Sequence, residues 1–324
     1  DSFSRKKVFI ICLAFFSVFF LGYVGAGTIL MFALVRTLHG IPFGAVTVSN
    51  STVAIDVLPS SRRNEGIGFY GLSGNIGMAI APSLGIYLHN LTNSYAILFW
   101  IAFVCSSLSV ILSFFVKIPE KEIVKNKRKL SLDRFFLTKA WLMAINIALF
   151  GLCFGTLSNY LAIYSKEELG ITNGTGTYFM ILAIGLILSR FQGAKSLRQG
   201  KLTENAAQGM VLSLCGYVVF AAFHSLPFYY LSAILIGLGN GHMYPAFLNM
   251  FINVASHDER GTANSSILTS WDFGFGIGIL IGGIISEYSG FSAAFWTVAI
   301  INAVGVILFF AGTRSFFLSR RRME

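Results

Sequence analysis

The stretch GIPFGAVTVSNSTVAIDVLPSSRRNEGIGFYGLSGNIGMAIAPSLG, residues 40–85, is matched in outline by GLGNGHMYPAFLNMFINVASHDERGTANSSILTSWDFGFGIGILIG, residues 237–282. Laid over one another without a gap, they place Gly40 on Gly237, Gly44 on Gly241, Asp56 on Asn253 and Arg63 on Arg260. The same register places Asn75 on Asp272, Gly77 on Gly274 and Gly85 on Gly282. One residue less, after the next loop, brings Phe99-Trp100 onto Phe295-Trp296. Glycine matches are common by chance in apolar helices, but a register held across two apolar runs and their loop marks a duplication. The two copies run in the same sense, as in transporters built from parallel repeats.

Composition says what kind of duplication this is. Of 324 residues, 55% are hydrophobic and only 12% charged, with 32 Phe and a mean hydropathy of +0.71. A water-soluble chain carries about a quarter charged residues. A bilayer core needs about 20 apolar residues per helix, and ten such stretches can be marked. They run over 8–24, 28–58, 67–88, 95–116 and 141–164, then 177–188, 206–223, 228–255, 263–285 and 291–311, the sixth extended upstream by 174–178. Backbone polar groups cannot go unsatisfied in lipid, so the expectation is an all-α polytopic membrane protein.

Charge sets the expected orientation. Read as loops, 1–7, 59–66, 117–140, 189–205, 256–262 and 312–324 hold every Lys and Arg except Arg36, inside a span, and Lys166, on the opposite side. This reading counts Arg190, Lys195, Arg198 and Lys201 as one basic loop. Basic loops stay in the cytoplasm, so both chain ends are expected there. The net charge of +10 is explained by this asymmetry and not by nucleic acid. The long connection 119–139, with KEIVKNKRK, divides a bundle over 1–118 from one over 140–324; it serves as a hinge-side linker or as an anchor to anionic lipid. Trp141 opens the second copy, and its counterpart falls ahead of Asp1 by about two helices of about 20 residues each. The expectation is a chain carrying helices 3–12 of a twelve-helix protein, the first two missing. No signal-peptide pattern precedes the first span. Cys12, Cys105, Cys153 and Cys215 lie in apolar runs without metal or disulfide spacing, so no metal site is expected.

Local motifs name a family. DSFSRKK at the start is similar to D-R-x-G-R-[RK], the end of the loop between helices 2 and 3 in major facilitator transporters, with Asp1, Arg5 and Lys6 matching. RTLHGIPFG, from Arg36, resembles the helix 4 pattern R-x-x-x-G-x-x-x-G of that superfamily's drug:proton antiporters. The next run carries G-x8-G-x3-A-P-x2-G at Gly68, Gly77, Ala81, Pro82 and Gly85, similar to the antiporter motif of helix 5, with Ala81 and Ile86 departing from glycine. The resemblance covers the whole chain. It implies the major facilitator (MFS) fold of two six-helix bundles and secondary transport driven by a proton gradient, with no bound cofactor. Asp1, Arg5 and Asp56 would form a gating charge relay; the second-copy counterpart has Leu197 for the Asp.

Physical chemistry weights individual residues. Gly77, Ala81 and Gly85 fall four apart and form a smooth helical stripe, as do Gly274, Gly278 and Gly282. Close packing explains such a stripe; sealing one face of a transporter explains it as well. Arg36 lies about 12 Å along its span and Asp272 about 14 Å along its own. Ionisable groups at that depth face a bundle interior or a watery cavity. Asp272 lies roughly 200° around the helix from Gly274, so it is either a proton-exchanging group or one bonded to a neighbouring helix. Arg36 cannot deprotonate, and the resemblance assigns its position to proton coupling. Asn146, Asn159, Tyr160, His242 and Tyr244 are candidate cavity groups, each equally readable as core. His242 either titrates or is a satisfied hydrogen-bonding histidine. No HExxH, GxSxG or paired intramembrane carboxylate speaks for an enzyme. The expected function is proton-coupled export of a small amphipathic molecule by a monomer in the inner (plasma) membrane, with uptake of a sugar or other metabolite by proton symport as the alternative.

Overall fold

Chains this apolar satisfy their backbones within helices, and among the described residues no strand occurs. The computed structural model describes residues 5–59, 63–117, 136–171, 174–256 and 259–321. Four helices precede the basic connection: α1 (Arg5–Val24), α2 (Ile29–Val57), α3 (Arg63–Thr92) and α4 (Ala96–Phe115). Five long ones follow: α5 (Trp141–Glu167), α6 (Gly174–Arg198), α7 (Leu202–Ala222), α8 (Leu226–Val254) and α9 (Arg260–Leu308). A π turn over Phe309–Thr313 leads into α10 (Arg314–Arg320). Gly290, at φ 85° and ψ 162°, breaks α9 into two arms, and the Phe291 N–H that opens the second arm donates to Glu168 Oε1 at 3.1 Å. Each expected span coincides with a helix or an arm. Seven helical stretches are long and apolar enough to cross a membrane, the two arms of α9 being counted together in one of them.

Two expected loops are largely helical: 312–324 carries α10, and 189–205 carries the end of α6. α6 does not stop at Leu188 but continues through Arg190 and Lys195 to Arg198. Hydropathy marks a helix end at the first cation after an apolar run, whereas the helix runs on to Arg198 and the chain turns at Gly200, whose φ of 71° suits a glycine.

The described residues fall into two compact units, 1–63 with 84–129 and 64–83 with 130–324; α3 is thus shared between them. In the first, α1 packs on α2 and on α4. Ser106 donates to Ser17 Oγ at 2.9 Å, and Lys6 Nζ donates to the carbonyls of Phe114 and Val116 at 2.9 and 2.8 Å. A cation there complements the carbonyl end of α4.

In the second unit α5 lies along the first arm of α9 with glycine on both sides. A Cβ on Gly151 or Gly155 would run into the Trp271 or Phe275 carbonyl, and one on Gly274 or Gly278 into the Ala148 or Leu152 carbonyl. Gly185 and Gly237 do the same where α6 crosses α8, with an added Cβ on Gly185 only 2.6 Å from the Ile234 carbonyl. With no lipid-excluding force between helices, such backbone approach is what holds them. The second-copy stripe of Gly274, Gly278 and Gly282 is therefore a buried packing surface. Among the described residues nothing lies within 4 Å of a Cβ placed on Gly77 or Gly85. The aromatic core of the unit is Tyr164, Tyr178, Phe220, Tyr229 and Phe295, with ring centroids 4.7 Å apart for Tyr164–Phe295, Phe220–Phe295 and Tyr178–Tyr229.

The α8–α9 connection is latched. Glu259 accepts from Lys139 Nζ at 2.5 Å and from the backbone N–H and hydroxyl of Ser256 at 2.7 and 2.5 Å, and Arg320 donates to the Lys139 carbonyl at 2.8 Å. Burial alone would raise the Glu259 carboxyl; the Lys139 and Ser256 bonds outweigh it and bring it down to about 2.

Two outcomes are expected. Gly278→Val forces a side chain against backbone and costs roughly 1–3 kcal/mol or more, read as a lower unfolding midpoint of the detergent-solubilised protein. Because the Glu259 value is depressed from 4.5, its latch stabilises fully above that pH and is lost as pH falls toward 2. Glu259→Gln should therefore lower the midpoint at neutral pH, with the gap to the parent narrowing as the pH drops to about 3; an unchanging gap would contradict the latch.

Candidate functional site

Depth brings a set of polar residues of the second unit to one level. Taken from the end where α6 and α8 finish and α9 begins, Arg190 lies about 12 Å in, Tyr244 about 15 Å and Asp272 about 18 Å. All three sit inside long apolar helices, where polar groups are costly and must find partners.

His242 has found them. It is 2% exposed, and Asn205 of α7 grips it at two points. The Asn205 Nδ2 donates to the His242 carbonyl at 3.0 Å, so its Oδ1, 2.9 Å from His242 Nδ1, is left to accept. An amide oxygen only accepts, so Nδ1 carries the proton. Nε2 lies 3.3 Å from Gln192 Oε1, so a neutral ring accepts a bond there only with the Gln192 amide turned to present its N–H. Gly193 permits the arrangement: a Cβ there would stand 3.0 Å from His242 Nδ1 and 3.1 Å from Asn205 Oδ1. Three residues on, Pro245 removes a backbone donor from the middle of α8. Asn249 then donates to the Pro245 carbonyl at 2.9 Å. His242 is thus a satisfied histidine.

Arg190 has not found partners. It projects from α6 near His242 and Tyr244, close enough for their charges to interact. Its Nε and Nη1 are both sealed from solvent and bonded to nothing. Its Nη2 points at Gly71 of α3, where a Cβ would lie 3.2 Å away. Tyr244 packs edge-to-face on Trp271 with centroids 5.5 Å apart and shares its electrostatic neighbourhood with Asp272, Tyr70 and Arg190. Asp272 is exposed on α9, off the buried glycine stripe. Lys139 and Glu259 form an ion pair, whereas Asp272 does not close on Arg190.

The remaining sequence candidates go elsewhere. Asn146 is fully buried and donates to the Gly305 carbonyl at 3.0 Å, tying α5 to the second arm of α9. Tyr160 is half-buried, and its hydroxyl donates to the Ile279 carbonyl at 2.8 Å. Asn159 is exposed and bonds the Gly155 carbonyl of its own helix at 3.0 Å. Arg36 is exposed on α2, three residues before His39, which the sequence reading passed over. His39 is buried between Phe16, Phe19 and Phe20. Its Nε2 donates to the Phe16 carbonyl at 3.0 Å and its Nδ1 accepts from the Tyr23 hydroxyl at 3.1 Å, a neutral ring with both nitrogens used. Gly77 and Ala81 are exposed on α3 and Gly85 is half-buried. Asp1 lies outside the described residues, as do the side chains of Arg5, Asp56 and Pro82; Gly68 is described only as part of α3. Among the described residues no cluster of His, Cys, Asp and Glu could hold a metal ion.

The model of the Major Facilitator Superfamily matches residues 1–204 and 206–321. The chain belongs to the Major Facilitator Superfamily. It is therefore a multi-pass membrane transporter, in a family that moves small molecules, and the relatives found are transporters and not enzymes. The Staphylopine export protein of Staphylococcus aureus is 25% identical over 285 residues, covering 84% of this chain and 70% of the relative. The Quinolone resistance protein NorA of the same species is 21% identical over 319 residues, covering 95% and 80%. Among solved structures, the human organic anion transporter MFSD10 superposes with a TM-score of 0.79 at 16% identity, covering 94% of this chain and 77% of that one. The Escherichia coli fucose:proton symporter FucP gives 0.68 at 16% identity, covering 98% and 84%. These structures share the major facilitator fold.

Removing the Asn205 clamp leaves the buried His242 Nδ1–H without its acceptor, at a cost of about 1–3 kcal/mol. In Asn205→Ala the His242 Nδ1–H signal in nitrogen-15 spectra of labelled protein should be lost and the unfolding midpoint lowered; an unchanged tautomer would show that another group fixes the ring.

Proposed function

We propose that the protein is a proton-coupled exporter of small amphipathic molecules, working by alternating access in the cytoplasmic membrane with both chain ends in the cytoplasm. The observation that carries this is the antiporter-like pattern on α3, Gly68, Gly77, Ala81, Pro82 and Gly85. Relatives named for staphylopine export and quinolone resistance support the outward direction. Asp272 is the carboxylate that exchanges the proton: it lies deep in α9, is free of the helix contact beside it, and shares its surroundings with Tyr244. Arg36 acts on a carboxylate of its own bundle, and Asp1, Arg5 and Asp56 form the relay that holds one conformation. Tyr244 and Asn159 contact substrate, while Asn146 and Tyr160 act through the packing of α5 on α9 and His242 through that of α7 on α8. No cofactor takes part; the proton gradient supplies the energy to a monomer.

Uptake by symport is the second reading. The departures at Ala81 and Ile86 favour it, and a fucose:proton symporter shares the fold.

Everted vesicles carrying the full chain decide between them. After ATP-driven acidification, adding a quinolone as probe should dissipate the gradient, and Asp272→Asn should abolish that response. If an acidified lumen is left unchanged by the probe in the parent protein while inward accumulation of a sugar in right-side-out cells depends on the gradient, the exporter assignment gives way to the symporter.

A further inference from the structure

A half-buried arginine with two sealed and idle donors is an unfinished ion pair. Arg190 stays protonated in proteins, and an unpaired buried charge costs several kcal/mol. Two of its three nitrogens are inaccessible and unbonded, the third faces the bare backbone of Gly71, and no described carboxylate lies within ion-pair distance. Beside it, His242 is held through Asn205 and Asn249 bonds the Pro245 carbonyl. Asn146 Oδ1, Asn302 Oδ1 and the hydroxyls of Tyr164, Tyr217 and Tyr229 are also buried and unbonded, but these groups are neutral, whereas Arg190 carries a charge.

We propose that Arg190 is the anchor for the carboxylate of an amphipathic monocarboxylate guest. The guanidinium fork matches a carboxylate in two parallel hydrogen bonds. Charge balance selects a monoanion: the single guanidinium charge neutralises one added negative charge, whereas a phosphate dianion would leave a surplus. Gly71 supplies the space, since any side chain there crowds Nη2. Trp271, packed on Tyr244, offers an aromatic wall for the guest's apolar body. The inference deepens the transport reading by naming a substrate class, but binding needs neither a proton gradient nor a direction of transport.

The test is binding to the purified full chain in phosphatidylcholine nanodiscs, without a gradient, using acetate, decanoate and 4-phenylbutyrate beside the corresponding amides of the last two. The carboxylates with apolar bodies should raise the unfolding midpoint and quench tryptophan fluorescence, and the amides should bind at least tenfold more weakly. Arg190→Gln should lose that preference while the ligand-free midpoint stays level or rises, because an unpaired buried charge has been removed. A structural role for Arg190 predicts the reverse, a falling midpoint. Gly71→Val, which keeps the charge and fills the space beside Nη2, should weaken carboxylate binding about as much as Arg190→Gln does. If neither decanoate nor 4-phenylbutyrate binds more tightly than its amide, or if Arg190→Gln binds them undiminished, the proposal is overturned. Stabilisation by phosphatidylglycerol in the nanodisc that Arg190→Gln abolishes, with no carboxylate binding in phosphatidylcholine, would assign the site to a lipid headgroup and overturn the small-molecule guest. An exporter test that fails while carboxylate binding holds would leave the site intact and change only the direction of transport.

Discussion

The contact between α5 and the first arm of α9 is the constraint from which the second unit follows. Between two apolar helices in lipid there is no hydrophobic gain to draw them together, so attraction depends on how closely backbones can approach. Gly151 and Gly155 on one side, and Gly274 and Gly278 on the other, bring each helix against the carbonyls of its neighbour. Tyr160 and Asn146 then add hydrogen bonds to α9 carbonyls at 2.8 and 3.0 Å, above and below that contact. With one face of α9 fixed in this way, residues off the stripe have no freedom of rotation. Asp272 is turned out of the contact, toward the surroundings of Tyr244, by the same glycines that bury their own face.

How much of this was legible in the sequence depended on which physical signal each feature produced. Spans were legible because lipid demands about 20 apolar residues whatever the neighbours are, and the Gly274, Gly278 and Gly282 stripe because close approach demands small residues at helical spacing. Arg190 was misplaced by the same hydropathy reasoning. A charge after an apolar run reads as a loop, and only the packing of α6 on α8 shows that the helix continues eight residues further with that charge turned inward. Asn205 left no trace in the chain, since its role depends on a histidine thirty-seven residues away. His39 gives no signal in the chain either, since its two bonds go to Phe16 and Tyr23 on another helix.

Polar residues of the second unit divide into two kinds. Asn146, Tyr160, Asn205, Asn249 and His242 each bond a backbone carbonyl or one another, and each satisfied group fixes a helix against its neighbour or against its own previous turn. Such bonds make a rigid frame and ask for nothing further. Arg190 and Asp272 belong to the other kind, bearing opposite full charges at similar depth without closing on one another. Two such groups left apart cost more than the same two joined, so the arrangement persists only if the frame holds them apart.

In a carrier the two kinds behave differently. A neutral group bonded to a backbone carbonyl keeps its charge when protons or solutes arrive, so the helix contacts it fixes do not depend on them. Arg190 carries a permanent charge, and two of its donors are idle. An unpaired cation is costly to carry across a low-dielectric barrier, and the cost falls once an anion lies against it. Movement of the helices that carry Arg190 is therefore sensitive to whether an anion is bound there, whereas the glycine contacts that hold α5 on α9 are not.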